Sequence, residues 1–177
     1  MQNNTTKLLL LADNHGSANH MYSALLNEQP VDAILHAGDA NLHLEDYLAV
    51  YLKHGGRLYA VQGNTDEEAY PKQLVINVPI GPEETSVCRI LMVHGHDHGV
   101  YGSMDRLYYA AKENGASVVV FAHTHFPVVF MEGDVLFINP GSLEKPRQEN
   151  RLPSYAVLTI TDDENITEKN AEIMYLE

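Results

Sequence analysis
Five short apolar runs in this chain each end in a side chain that can hold a metal ion. Residues 8–12 lead into Asp13-Asn14-His15-Gly16, and 31–37 into Gly38-Asp39. Residues 57–62 lead into Gly63-Asn64-Thr65-Asp66, 89–93 into His94-Gly95-His96, and 117–122 into His123-Thr124-His125. The candidate metal ligands are Asp13, His15, Asp39, Asn64, His94, His123 and His125. Imidazole, carboxylate and amide oxygen without thiolate suit manganese first, with nickel, zinc or iron as alternatives. Seven ligands are too many for one tetrahedral ion and enough for two if a carboxylate bridges them. Two divalent ions, two aspartates and a bridging hydroxide leave about +1 by formal counting. Such a pair, roughly 3.5–4 Å apart, can activate a water and steady both oxygens of an in-line displacement at phosphorus.

The elements that must position these groups follow from the same runs. The runs 8–12, 31–37, 57–62, 89–93 and 117–122 read as buried strands, the last rich in valine. Residues 17–29 read as a helix with Ser17 as N-cap and Pro30 at its end. Residues 43–54 read as a second helix closed by Gly55 and Gly56, and 103–114 as a third stopped by Gly115. Short strands follow at 128–131, 135–139 and 155–161, with a hairpin turn expected at Asp162-Asp163-Glu164-Asn165. Alternating β and α followed by consecutive strands predicts an α/β (α+β) fold with helices outside two stacked sheets. In open α/β sheets the carboxyl edge of the strands is where ligand sites form. Alternation along an extended chain would let Asp13 and His15, and His123 and His125, each point two ligands at one place.

Composition bounds the partners. The 177 residues fit a single domain, 1–177, able to bury a sizeable core. The net charge of −13, with no Lys/Arg-rich face, disfavours long nucleic acid. A small anionic substrate remains compatible, since bound cations reverse the local sign. Cys88 is the only cysteine, so the chain has no intrachain disulfide and no thiolate metal cage. Residues 8–12 are too short for a signal-peptide core or a membrane span, and the expected location is the cytoplasm. Oligomer state is open, because Tyr108 and Tyr109 could face a core or a second copy.

In this order, Asp-x-His, Gly-Asp, Gly-Asn-x-Asp, His-Gly-His and Ala-His-Thr-His resemble the calcineurin-like metallophosphoesterases. The match is to their small single-domain bacterial and archaeal phosphodiesterases, which also carry the Asn139-Pro140-Gly141-Ser142 and Pro146-Arg147 segments. The resemblance implies a four-layer αββα sandwich of two mixed sheets flanked by helices. It assigns Asp13, His15 and His125 to one ion, Asn64, His94 and His123 to the other, and Asp39 to both. It implies hydrolysis of a small phosphoester by a hydroxide held near Asp39 at the dinuclear centre. Larger members carry a histidine where this chain has Thr65, and a hydroxyl cannot act as a general acid near neutral pH. Esters with poor leaving groups should then turn over slowly unless His96 takes part. The fold also serves in a eukaryotic retromer subunit, so a protein-binding scaffold is the second reading. The complete ligand set favours the enzyme.

Remaining polar residues divide by position. Asp39, Asn64 and His96 are the catalytic candidates, with Asn14, Thr65 and Arg147 as candidate substrate contacts. Asn14 also suits the turn it sits in, and Arg147 an ordinary surface place. His20, His43 and His54 read as surface residues and His98 as solvated. His36 reads as either a core residue or a support for the ligands. Asp66 reads as the N-cap of a turn at Glu67-Glu68 in preference to a carboxylate that supports the ligands.

Overall fold
The computed structural model describes residues 5–80, 86–161 and 165–177. Among these residues ten strands form two five-stranded sheets, each mixed. The first runs β10 (Ala171–Tyr175), β9 (Ser154–Ile160), β1 (Thr6–Leu11), β2 (Ala33–His36), β3 (Arg57–Ala60). The second runs β4 (Gln73–Ile80), β5 (Ser86–Val93), β6 (Val118–Val120), β8 (Val135–Asn139), β7 (Val128–Glu132). Strands β1, β2 and β3 are parallel, and so are β5, β6 and β8. The parallel strands of each sheet bring their carboxyl ends to a shared edge; β9 runs antiparallel beside β1, and β4 and β7 run antiparallel beside β5 and β8.

Period-two alternation builds the layers. Leu8, Leu10 and Ala12 point between the sheets, where they meet Ile90, Met92, Val118 and Val120. Leu9 and Leu11 point the other way, onto Met21, Ala24 and Leu25 of α1 (Asn19–Glu28) and onto Leu44 and Leu48. On the far sheet Leu91, Val93 and Val119 meet Leu107 and Ala111 of α4 (Asp105–Glu113). Both faces of each central strand are buried, which is why those runs are continuously apolar. The result is the expected αββα sandwich.

Several boundaries differ from the sequence reading. The first helix begins at Asn19, without a side-chain cap. Ser17 is taken by the preceding turn instead: its N–H donates to Asn14 O (2.8 Å), and its carbonyl accepts from Asn14 Nδ2 (3.0 Å). The helix expected at 43–54 is two short ones, α2 (Leu44–Tyr47) and α3 (Ala49–Lys53). Leu48, drawn into the core, breaks them at φ −99°, ψ 11°, while Leu48 N–H still reaches Leu44 O. Strands β4 and β10 were not expected, and β5 begins at Ser86 rather than Arg89. Residues 162–164 of the expected hairpin turn lie outside the described residues. Among the described residues no helix is long and apolar enough to cross a membrane.

Candidate metal centre
The sheet ladders continue past the strand ends, and that continuation brings the loops together. Ala37 N–H donates to Leu11 O, Asp13 N–H to Gly38 O, His15 N–H to Asp39 O, and Ala122 N–H to His94 O. The backbone then leaves the extended region. Asp13 (φ 54°), His15 (42°), Asp39 (55°), His123 (70°) and His125 (59°) all have left-handed backbone. Five of the seven expected ligands thus hold a conformation that costs a non-glycine residue energy, a signature of functional strain. Asp13/His15 and His123/His125 therefore do not converge by extended alternation. Tight turning at each ligand aims the pair. Glycine serves where two loops touch. A Cβ on Gly38 (φ 97°) would lie 2.8 Å from both Gly63 N and His94 Nδ1, and one on Gly63 would strike the Asp39 carboxylate.

Among the described residues two ligand groups form: Asp13, His15 and His125; and Asp13, Asp39 and His94. Within each, one ligand atom per residue lies within 4.8 Å of the others. Asp13 belongs to both. His15 Nε2 and His125 Nε2 are 3.4 Å apart, and His125 Nε2 is 3.3 Å from Asp13 Oδ1. On the other side His94 Nε2 stands 3.1 Å from Asn64 Oδ1 and 3.5 Å from Asp39 Oδ2. His123 comes in edge-on, its ring centre 5.1 Å from that of His94. All seven residues therefore converge. Asp39, the carboxylate that the family resemblance gives to both ions, stands in the second group beside Asp13 and His94.

The donors fit divalent cations. Both carboxylate oxygens of Asp13 are fully buried and accept no hydrogen bond from the described residues, a costly state for a carboxylate unless a cation sits beside it. His94 Nδ1–H is spent on Ala37 O (2.8 Å) and His125 Nδ1–H on Lys145 O (2.8 Å), which turns each Nε2 lone pair into the centre. His94 Nε2 then faces Asn64 and Asp39 oxygens, acceptors opposed to an acceptor, which a bound cation relieves. Burial lowers the proton affinity of His15 and His123, keeping them available as neutral ligands. Burial works against the Asp39 charge, but His94 and the Thr65 N–H (2.9 Å) outweigh it and hold that carboxyl below its usual range. Burial also opposes a charge on His125, yet the Asp13 carboxylate and Lys145 carbonyl prevail and push it up.

The surrounding residues correct several expectations. Asp66 is no helix cap. Its Oδ2 accepts the N–H of Asp39 (2.8 Å) and of Gly63 (2.8 Å), and its Oδ1 that of Asn41 (2.7 Å). Asn14 is fully buried, with Oδ1 on His36 Nε2 (2.8 Å) and Nδ2 on Ser17 O, so it serves the turn and offers nothing to a substrate. His36 is a buried support beneath the first two loops. His98 is half-buried, and His20 donates through Nδ1 to Leu143 O (2.6 Å). His96 lines the site, 5.4 Å from His94 and 6.2 Å from His123 between ring centres. Thr65 is exposed beside Asn64, its hydroxyl on Asn41 Oδ1 (3.0 Å). Arg147 is exposed at the rim, bonded to the hydroxyl of Tyr101.

Two supports had no role in the sequence reading. Asn139, fully buried at the end of β8, donates to Ala122 O (3.2 Å) and Thr124 Oγ1 (3.0 Å), bracing the loop of His123 and His125. Ser142 Oγ donates to Asp13 O (2.9 Å). The signal for Asn139 was present: it too follows an apolar run, 135–138, that ends in a polar residue and a turn.

Comparison with known proteins agrees with this geometry. The calcineurin-like phosphoesterase superfamily domain model matches residues 6–163, and the chain belongs to that superfamily. "Probable metallophosphoesterase YsnB" of Bacillus subtilis (strain 168) is 32% identical over 163 residues, covering 88% of this chain and 85% of the relative. "Phosphodiesterase YfcE" of Escherichia coli (strain K12) is 32% identical over 106 residues, 58% of this chain and 52% of that one. A crystal structure of a conserved Streptococcus pneumoniae TIGR4 protein, described as a predicted phosphoesterase, superposes with TM-score 0.73 at 27% identity, covering 98% and 99% of the two chains. Vacuolar Protein Sorting 29 of Cryptosporidium parvum shares the fold, with TM-score 0.71 at 18% identity, covering 97% and 98%.

Proposed function
We propose that this chain is a metal-dependent phosphodiesterase that hydrolyses a small phosphoester at a dinuclear centre. Asp13, His15, Asp39, Asn64, His94, His123 and His125 would hold the two ions, manganese by preference over nickel, zinc or iron. The observation that carries this reading is the Asp13 carboxylate, buried without a hydrogen-bond donor between two converging ligand groups. Bound divalent ions supply Lewis acidity, which acidifies a water and neutralises charge gathering on phosphoryl oxygens.

The chain's own groups do the rest. Asp39, held as a carboxylate, and Asn64, both beside His94 Nε2, orient the nucleophile and the phosphoryl group. The Asp13–His125 pair fixes the far wall. His96, at the edge of the His94 and His123 rings, is placed to give a proton to the leaving oxygen or to steady its charge. Thr65 and Arg147 at the rim contact the ester. Diester specificity is supported by Thr65, which supplies no imidazole for a poor leaving group, and by the name of the YfcE relative. The net charge of −13 supports a small substrate over long nucleic acid, and we place the protein in the cytoplasm as one domain over residues 1–177.

Purified protein supplied with manganese should hydrolyse bis(p-nitrophenyl) phosphate, with two ions per chain by elemental analysis. His94→Ala should remove turnover and one ion together. An absence of turnover with manganese, nickel, zinc and iron alike would sink the reading. It would favour the alternative, a protein-binding scaffold on the same fold.

A further inference from the structure
Tyr101 is 63% exposed, yet its side chain is held on three sides. Its O–H donates to the main-chain oxygen of His123 (3.1 Å), its oxygen accepts from Arg147 Nη1 (2.7 Å), and its ring stands edge-on to the His123 imidazole, 5.3 Å between centres. The loop that carries it is anchored by Val100, 4% exposed and packed in the cluster with Leu91 and Phe121. Gly102 N–H closes that loop onto Gly99 O (2.9 Å). Arg147 is fixed at its other end, where its main-chain N–H donates to His125 O (3.1 Å). Both residues are thus bolted to the loop that presents His123 and His125.

An exposed arginine ordinarily samples many rotamers, and ordering it costs entropy. Here one N–H is spent on the tyrosine hydroxyl, leaving the other guanidinium donors for a ligand. A planar fork of N–H groups matches the oxygens of a phosphoryl group. We infer that Tyr101 is a positioning residue that holds Arg147 as a preset clamp for a phosphoryl oxygen of substrate or product, at the His123–His125 side of the centre. This rests on the phosphoesterase reading above and adds to it a residue that no strand-end motif contains.

The test uses manganese-loaded protein and two probes, bis(p-nitrophenyl) phosphate turnover and inorganic phosphate binding by calorimetry. Tyr101→Phe keeps the ring against His123 and loses both hydrogen bonds. Its KM and phosphate Kd should each rise roughly tenfold, the loss of one charge-assisted contact, with kcat changing far less and ion content unchanged. Arg147→Met should weaken both by at least as much, and Arg147→Lys should recover only part of that loss. Adding Tyr101→Phe to Arg147→Met should change neither further, because the tyrosine acts through the arginine. An unaltered phosphate Kd in Tyr101→Phe would overturn the inference. So would an equal loss from Tyr101→Phe in the Arg147→Met background, or a fall in bound ions. If the parent protein turns over no diester, the function proposed above fails, while the phosphate titration still decides the clamp.

Discussion
Asp66 holds Asp39 by its backbone: the Asp66 Oδ2 accepts the Asp39 N–H at 2.8 Å. The same carboxylate takes the N–H of Gly63 and of Asn41, so it ties the loop after β2 to the loop after β3. Asp39 sits at φ 55°, a conformation that persists only where its surroundings enforce it. Asp66→Ala should strip three N–H groups of their acceptor and cost about 2–3 kcal/mol in the metal-free protein. Asp66→Asn, which keeps one acceptor oxygen, should cost about half as much. Urea unfolding with elemental analysis checks this. A midpoint for Asp66→Ala equal to that of the parent would show that the clamp contributes nothing.

Asp13 should set stability and ion binding against each other. In metal-free protein its buried carboxylate, without a hydrogen-bond donor among the described residues, is a standing cost, eased by His125 Nε2 at 3.3 Å and His15 Nε2 at 4.0 Å. Asp13→Asn should raise the stability of metal-free protein by about 1 kcal/mol. It should also abolish the gain the parent shows with manganese, about 2.7 kcal/mol at a hundredfold excess over Kd. Thermal melts with chelator and with manganese give both numbers. A variant that is less stable than the parent in chelator, or still stabilised by manganese, would contradict this account.

His36 gives the chain an acid-sensitive joint. Burial lowers its proton affinity to about 4, against opposition from the Asp66 and Asp13 carboxylates. Its hydrogen bonds require the neutral ring: Nε2–H donates to Asn14 Oδ1, and Nδ1 accepts the Gly38 N–H at 3.2 Å. The unfolded chain therefore binds a proton at higher pH than the folded one. The contribution is complete above pH ~6.5 and is lost as the pH falls through 6.5 towards 4, about 3 kcal/mol in all. His36→Gln should flatten that part of the stability profile, measured by urea unfolding of metal-free protein between pH 7 and 4. A profile parallel to that of the parent would refute it.

The strand-end ligands were legible because they are local: an apolar run, then a carboxylate, amide or imidazole, then glycine. Two of the four edge strands, β4 and β10, were not, whereas β3 and β7 were. β4 borders its sheet, with Ile76, Val78 and Ile80 buried between exposed neighbours, and Pro79 sits where the pairing with β5 tolerates a missing N–H. β10, at the border of the other sheet, likewise has one neighbour and no fully buried residue. In these two strands exposed or half-buried residues interrupt the apolar signal, so they read as loop. The N-cap at Ser17 failed for a different reason: Asn14, three residues earlier, uses both main-chain groups of that serine.

The sequence by itself determined which donors this protein has, their order along the chain, the absence of thiolate ligands and an acidic balance unsuited to long nucleic acid. The tertiary structure decided which of those donors meet. It made Asp13 the carboxylate shared by both groups, turned Asp66 from a cap into a clamp, withdrew Asn14 into the core, and set Tyr101 and Arg147 on the loop of His123 and His125. Ser142 reaches Asp13 across 129 positions, and His15 meets His125 across 110. Contacts of that span depend on how two sheets stack and how five left-handed turns aim their side chains. Neither property is written in the neighbouring residues, because the strain is held in place by packing and hydrogen bonds from distant parts of the chain.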